Sequence, residues 1–204
     1  MKSERILITG AAGFAGSHLI ELLLRKSEDD YQAGRERIQV FGADRPLTRH
    51  DNIRHLEDAI EFDELDLTDY TATRGLIHGV RPDRIFHLAA QSFVPTSWRA
   101  PEETLRTNIT AELNIFEACR EAGISPKIQI ACSSEEYGQV EPDELPITEK
   151  TPLRPLSPYA VSKVAQDMLG YQYFRSYGLP IVRTRAFNHT GPRRGEQFAT
   201  SAFA

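Results

Sequence analysis

Short β-branched runs alternate along the chain with longer amphipathic stretches, a pattern that feeds β-α-β units and a parallel sheet. It predicts strands over Arg5–Thr9, Ile38–Gly42, Ile60–Asp63, Arg84–Leu88, Lys127–Cys132 and Ile181–Thr184. Between them it predicts helices over Ala15–Lys26, Tyr70–Gly79, Pro101–Ala122 and Pro158–Tyr177, the third opening on a proline in its first turn. Six strands and four helices in this order suit a doubly wound α/β sheet, whose ligands sit outside the carboxyl ends of the strands. Ser27–Arg37 is charged and reads as a solvated connection, and Gln139–Leu156, with Pro142, Pro146, Pro152 and Pro155, reads as a second loop. After the sixth strand come Asn188–Gly195 and then Phe198–Ala204, with no capping residue or polar tail, so the pattern reads as stopping inside an element.

Composition changes this picture only by exclusion. The 204 residues suffice for one domain with a substantial core and are short for two. The formal charge is -5, and no window gathers the basic residues into a stripe that could follow a phosphate backbone, which argues against nucleic acid as a partner. The longest apolar stretch, Ile6 to Leu24, is interrupted by glycines, Ser17, His18 and Glu21, which argues against a membrane span or a signal segment and points to the cytoplasm. Cys119 and Cys132 lack disulfide or zinc spacing and read as buried small hydrophobes. His18, His50, His55, His78 and His87 likewise lack metal-ligand spacing, so no metal site is expected, and His87 reads as a satisfied core histidine.

The first strand runs into Gly10-Ala11-Ala12-Gly13-Phe14-Ala15-Gly16 and then a helix. In such a G-x-x-G-x-x-G turn the first glycine allows a tight bend, the second admits a pyrophosphate to the backbone, and the third packs helix on strand. The helix N-terminus adds free N–H groups and a partial positive charge. Asp44-Arg45 follows the second strand: the aspartate suits an adenine-ribose 2′-hydroxyl and the arginine a 2′-phosphate, so the choice between NAD and NADP stays open. Asp66-Leu67 could reach the adenine, and Asp66 equally suits a helix cap.

Tyr159 and Lys163, at i and i+4 of a predicted helix, share one face. An ammonium near a phenol favours phenolate and makes tyrosine a usable base. Ser133, at the end of the fifth strand, stands at the same edge, where its hydroxyl could hold a substrate oxygen while the tyrosine takes its proton. Glu136, beside Glu135, alternates to the other side and reads as solvent-facing; Trp98 and Phe93 read as packing residues.

With these signals in order, the chain resembles the extended short-chain dehydrogenase/reductases over essentially its whole length, a family built on a Rossmann-type doubly wound parallel sheet with helices on both faces. The resemblance rests on the glycine turn, Leu88-Ala89-Ala90-Gln91-Ser92 after the fourth strand, Ser133, and Tyr159-x-x-x-Lys163. Ser133–Gly138, Ser157–Lys163 and Phe187–Glu196 are more narrowly similar to the branch that holds GDP-mannose 4,6-dehydratases and GDP-4-keto-6-deoxymannose reductases. That resemblance implies a nucleotide-sugar substrate, a GDP-hexose first among them, and NAD(H) or NADP(H) as cofactor. It implies catalytic roles for Ser133, Glu135, Tyr159 and Lys163, cofactor contacts from Lys163, His189 and Arg194 in addition to the residues above, and substrate contacts from Ser92, Ser133, Glu135 and Asn188, with Arg193 near a phosphate. It also implies a homodimer or higher oligomer formed through the third predicted helix and the one carrying Tyr159. Residues 1–204 are then expected to be the cofactor domain with its reacting residues, a C-terminal substrate domain being absent or truncated.

A dehydratase needs Glu135 for a reason of chemistry. Hydride transfer from the sugar C4 makes a ketone, the ketone acidifies the C5 proton, and a carboxylate must remove that proton before water leaves from C5 and C6. Ser134 stands where many dehydratases carry an acid, and Gln91–Pro95 and Thr190–Pro192 look equally like the reductase, which needs no C5 base. The sequence therefore favours dehydratase and keeps two alternatives: a reductase or epimerase of nucleotide sugars, and a binding module in which a dinucleotide regulates an interaction.

Overall fold

The computed structural model describes residues 3–46 and 49–198. Six parallel strands, β1 (Glu4–Thr9), β2 (Ile38–Asp44), β3 (Glu61–Glu64), β4 (Arg84–His87), β5 (Lys127–Ser133) and β6 (Ile181–Ala186), form one sheet in the order β3-β2-β1-β4-β5-β6. β1 is central: Leu7 lies opposite Phe41 on one side and Ile85 on the other. The order reverses between β1 and β4, and the crevice at their carboxyl ends is where such a sheet binds ligands.

Strand alternation divides the core. Ile6, Ile8 and Val40 face Ile20 and Leu23 of α1 (Phe14–Gln32), with Ile53 closing the cluster. Leu7, Phe41, Ile85, Ile128 and Ile130 face the other way, onto α2 (Tyr70–Val80), α4 (Pro101–Glu121) and α5 (Pro158–Tyr177). Helices thus cover both faces, as the fold class requires, and both cysteines are buried and free.

Three readings need correction. α1 does not end at Lys26 but runs through Gln32, across half of the expected solvated connection. Lys26–Asp30 and Gln32–Glu28 pairs at i, i+4 support the added turns. Ser27 is buried and exchanges hydrogen bonds with the backbone of Ile38, which ties this part of the helix to β2. A short helix, α3 (Val94–Arg99), was not expected: its proline sits in the first turn, where a missing N–H costs nothing. The expected aspartate cap of α2 comes from Asp69, which accepts from Thr71 and Ala72, while Asp66 accepts from Thr68. Beyond Phe198, the run read as an interrupted element lies outside the described residues.

Candidate active site

A cavity of about 1090 Å³ follows the carboxyl edge of the sheet, from the glycine turn at one end to the Ser133 strand end at the other. Gly10 has φ +71°, and a Cβ there would stand 2.7 Å from the Ala89 nitrogen; one on Gly16 would stand 2.2 Å from the Gly10 oxygen. Neither position admits a side chain, so α1 is held close against β1. At the helix start Gly13 offers no side-chain cap, which leaves the first-turn N–H groups facing a cavity that Gly13, Phe14, Ala15 and Gly16 line. These uncapped donors, with a backbone surface that only glycine permits, fit the pyrophosphate of a dinucleotide.

At the end beside β2 and β3, Asp44, Arg45, Asp66 and Leu67 line the cavity together, and Arg49 and Asn52, which the sequence did not single out, join them. The Asp44 carboxylate accepts from the Ala12 and Arg45 backbone nitrogens at 3.0 and 2.8 Å. Ala11 and Ala12 themselves lie beneath the turn, fully buried, outside the cavity wall. Leu88, Ala89, Ala90 and Ser92 line the middle, but Gln91 turns inward: its Nε2 donates to Thr104 Oγ1 and its Oε1 accepts from the Phe93 nitrogen. Asn108 accepts from the Gln91 nitrogen and donates to Ser162 Oγ, so α4, α5 and the loop after β4 are locked together beside the site. No signal in a single sequence marks Asn108 for this task.

Ser133, Glu135, Tyr159 and Lys163 all border the far end of the cavity. Proline starts α5 and Ser157 caps it through the Ala160 nitrogen, which puts Tyr159 and Lys163 in the first two turns. Lys163 Nζ donates to the Ala131 oxygen at 2.8 Å and lies 5.8 Å from the centre of the Tyr159 ring. The expected lowering of the Tyr159 pKa by Lys163 does not prevail: the phenol stands above its usual range. Burial pushes the phenol up, the Ser133 hydroxyl pulls it down, and Glu135 and Glu136 push it up again. Burial also pulls the Lys163 ammonium below its usual range.

Glu135 is exposed to the cavity, whereas Glu136 is fully buried, against the solvent-facing reading. The strand ends at Ser133 and a tight turn follows, so period-two alternation no longer holds. In that turn Ser133 Oγ accepts from the Glu135 nitrogen, and Glu136 Oε1 accepts from the Ser133 nitrogen. Arg185 Nε stands 3.3 Å from Glu136 Oε2 and 2.9 Å from Asp167 Oδ2. Cys132, Glu136 and Asp167 gather as metal ligands could, but the Arg185 guanidinium pairs with both carboxylates.

The strand β6 leads into Asn188, His189, Arg193 and Arg194, all on the cavity wall. His189 stacks on Phe14 at 6.0 Å, and the Arg194 guanidinium lies over the Phe198 ring at 4.1 Å. Arg193 is committed elsewhere than expected, to Glu21 of α1, whose carboxyl the Arg193 and His55 contacts hold down at about 2. Phe93 reaches the cavity and meets Phe198 edge-on, while Trp98 is 63% exposed and packs on nothing in the site. His87 is buried with its Nδ1 on Thr9 Oγ1, but its Nε2 has no partner, and burial pulls its pKa down to about 3.

A glycine turn at the switch point of a 3-2-1-4-5-6 sheet, with serine, tyrosine and lysine around one cavity, places the chain in the extended short-chain dehydrogenase/reductase class. Within that class, the family model for GDP-mannose 4,6 dehydratase matches residues 7–204, and the chain belongs to this family. It is 35% identical over 202 residues to a GDP-mannose 4,6-dehydratase of Vibrio cholerae serotype O1, covering 98% of this chain and 53% of the relative. It is 37% identical over 199 residues to GDP-mannose 4,6 dehydratase 2 of Arabidopsis thaliana, covering 95% and 52%. Among solved structures it is similar to the dTDP-glucose 4,6-dehydratase DesIV of Streptomyces venezuelae with NAD bound, at TM-score 0.84 and 30% identity, covering 98% of this chain and 60% of that one. A UDP-glucose 4-epimerase of Thermotoga maritima, with UDP-glucose, matches at TM-score 0.84 and 29% identity, covering 98% and 61%. The chain spans about half the length of the curated relatives it matches. Among the described residues no helix is long and apolar enough to cross a membrane.

Proposed function

We propose that the protein takes part in 4,6-dehydration of a nucleotide sugar, a GDP-hexose such as GDP-mannose. The observation that carries this reading is Glu135, a carboxylate exposed on the cavity wall beside Ser133, Tyr159 and Lys163, where a plain ketoreductase needs no carboxylate. NAD or NADP, when bound, supplies the hydride acceptor for C4 and returns the hydride to C6. Phe14, Ala15 and Gly16 hold the pyrophosphate through backbone N–H groups, with Gly10 and Gly13 leaving room for it and Ala11 and Ala12 supporting the turn from beneath; Asp44, Arg45, Asp66 and Leu67 surround the adenosine; Leu88, Ala89, Ala90, Ser92, His189 and Arg194 flank the remainder. Ser133 orients the C4 oxygen and Tyr159 removes its proton, with the Lys163 ammonium behind the phenol. Glu135 takes the C5 proton once C4 is a ketone, and its acid form then protonates the departing C6 hydroxyl. Asn188 and Ser92 lie on the sugar side. Arg193, tied to Glu21, would meet the nucleotide only by leaving that partner.

Two further parts belong to the same proposal. The protein works in the cytoplasm, as its free buried cysteines suit, and it forms a homodimer through α4 and α5. α5 exposes Val161, Met168, Tyr171, Phe174 and Tyr177, a set that favours contact with a second copy.

The test is incubation of the purified protein with GDP-mannose and either dinucleotide. Formation of a 4-keto-6-deoxy product with no net growth of the reduced-nicotinamide absorbance is the expected result, and product that appears only from a keto sugar and reduced cofactor would replace dehydratase by reductase. Glu135→Gln should slow dehydration by about 10²–10⁴-fold, the usual contribution of a positioned base. Unchanged dehydration would remove Glu135 from the mechanism.

A further inference from the structure

Where α4 packs on α5, a polar pair is enclosed that the proposed chemistry does not use. Glu112 is 0% exposed and Gln166 2%, and Gln166 Nε2 donates to Glu112 Oε2 at 2.8 Å. The other two oxygens, Glu112 Oε1 and Gln166 Oε1, are buried and receive no hydrogen bond. Two stranded acceptors in one pair are costly, and no rotation of the amide cures both, since an ionised carboxylate brings no donor. One proton on Glu112 Oε1 does: that oxygen becomes a donor, Gln166 Oε1 becomes its acceptor, and each side chain then donates once and accepts once.

We propose that Glu112 is a protonated carboxylic acid at neutral pH, held in an acid–amide pair with Gln166, and that this neutral pair is a positioning element for Lys163. Lys163 lies one turn before Gln166 on α5 and is itself buried. The inference rests on the reading of Lys163 and Tyr159 given above. A neutral Glu112 leaves the ammonium's field on the Tyr159 phenolate undivided. An ionised Glu112 would share that charge and leave less of the Tyr159 phenol ionised to act as base.

His87 of β4, which also feels Lys163, is uncharged at neutral pH because burial pulls it down to about 3. Burial pushes Glu112 up to about 8, Asp167 of α5 and Glu136 of the turn after β5 push the same way, and Lys163 pulls it down. Asp167 is engaged by Arg183 and Arg185 of β6, and the Cys132 thiol of β5 is pushed up by burial. Burial and the two neighbouring acids thus favour the acid form that the stranded acceptors call for, and Lys163 opposes them.

Two measurements separate this inference from the function it rests on. Infrared difference spectra of the protein alone, between about pH 6 and about pH 9.5, should show a protonated-carboxyl loss in the wild type that Glu112→Gln reduces to the part due to Glu136; in Lys163→Met the Glu112 part should persist to higher pH. A loss that Glu112→Gln leaves unchanged overturns the protonated pair, and a Glu112 band whose midpoint ignores Lys163→Met overturns the link to Lys163, whether or not the protein dehydrates any sugar. In dehydration assays, the kcat ratio between about pH 9 and about pH 7 should be about tenfold higher in Glu112→Gln than in wild type, because glutamine cannot ionise. Identical pH profiles would overturn the positioning role.

Discussion

Arg185 is the best place to test how the folded core supports the reacting turn. Its guanidinium is the only cation on Glu136 among the described ion pairs, and it shares Asp167 with Arg183. The side chains of Glu136 and Asp167 are 0% and 1% exposed, so Arg185→Met leaves one buried carboxylate without a counter-charge and another with half its support. Breaking a buried pair from one side costs about 3–5 kcal/mol, and because Asp167 keeps Arg183 the lower end applies. For a domain of this size that corresponds to a Tm fall of about 6–12 °C.

The pH dependence carries the stronger evidence, and its sign is fixed by Glu136. Even with Arg185 present, burial pushes Glu136 from 4.5 to about 7. Between those values the folded state binds more protons than the unfolded one, so stability falls as pH rises through that window. Removing Arg185 carries the folded value higher and extends the loss above neutrality. Near pH 5 Glu136 is protonated with or without Arg185, and the part of the deficit due to Glu136 vanishes. Urea unfolding of wild type, Arg185→Met and Arg185→Met/Glu136→Leu at about pH 5 and about pH 8.5 therefore separates the cases. The single variant should recover most of its deficit in acid, and the added leucine should recover it at alkaline pH. A deficit equal at both pH values, or one that Glu136→Leu leaves untouched, would refute the electrostatic account.

Three other outcomes follow from packing and surface. Gly10→Ala forces a Cβ to 2.7 Å from the Ala89 nitrogen at φ +71° and should cost about 2–5 kcal/mol in strain and overlap; because Leu88 and Ala89 border the cavity, titration calorimetry should show dinucleotide binding weakened as well. Phe116→Ala removes a fully buried ring packed 4.9 Å from Tyr173 and should lower unfolding free energy by about 3–5 kcal/mol in denaturant titrations. Met168→Glu with Phe174→Glu puts charge on the exposed face of α5 and should turn a dimer into a monomer in sedimentation velocity, with the secondary structure unchanged by circular dichroism.

The contrast between Glu135 and Glu136 shows what a single sequence reveals and what it hides. The strands, the glycine turn and the Tyr159/Lys163 pair are local: each depends on a period or a spacing within one element, so the sheet and most of the cavity wall could be read in advance. Glu136 could not, because its burial depends on a turn that breaks alternation and on an arginine 49 positions later, on β6. The same holds for Gln91, whose side chain is claimed by Thr104 of α4, and for Arg193, claimed by Glu21 of α1. In each case a polar side chain that looked free to meet solvent or a ligand is taken by a partner distant in sequence, since a polar group deprived of water must find one. Glu112 is the instructive extreme. On a helix whose neighbours Ala111 and Ile115 are core, sequence periodicity cannot distinguish a surface glutamate from a buried acid. Only the packing of α4 on α5 sets Gln166 against it, and with that contact a residue that reads as an ordinary helix former becomes a titratable group beside Lys163.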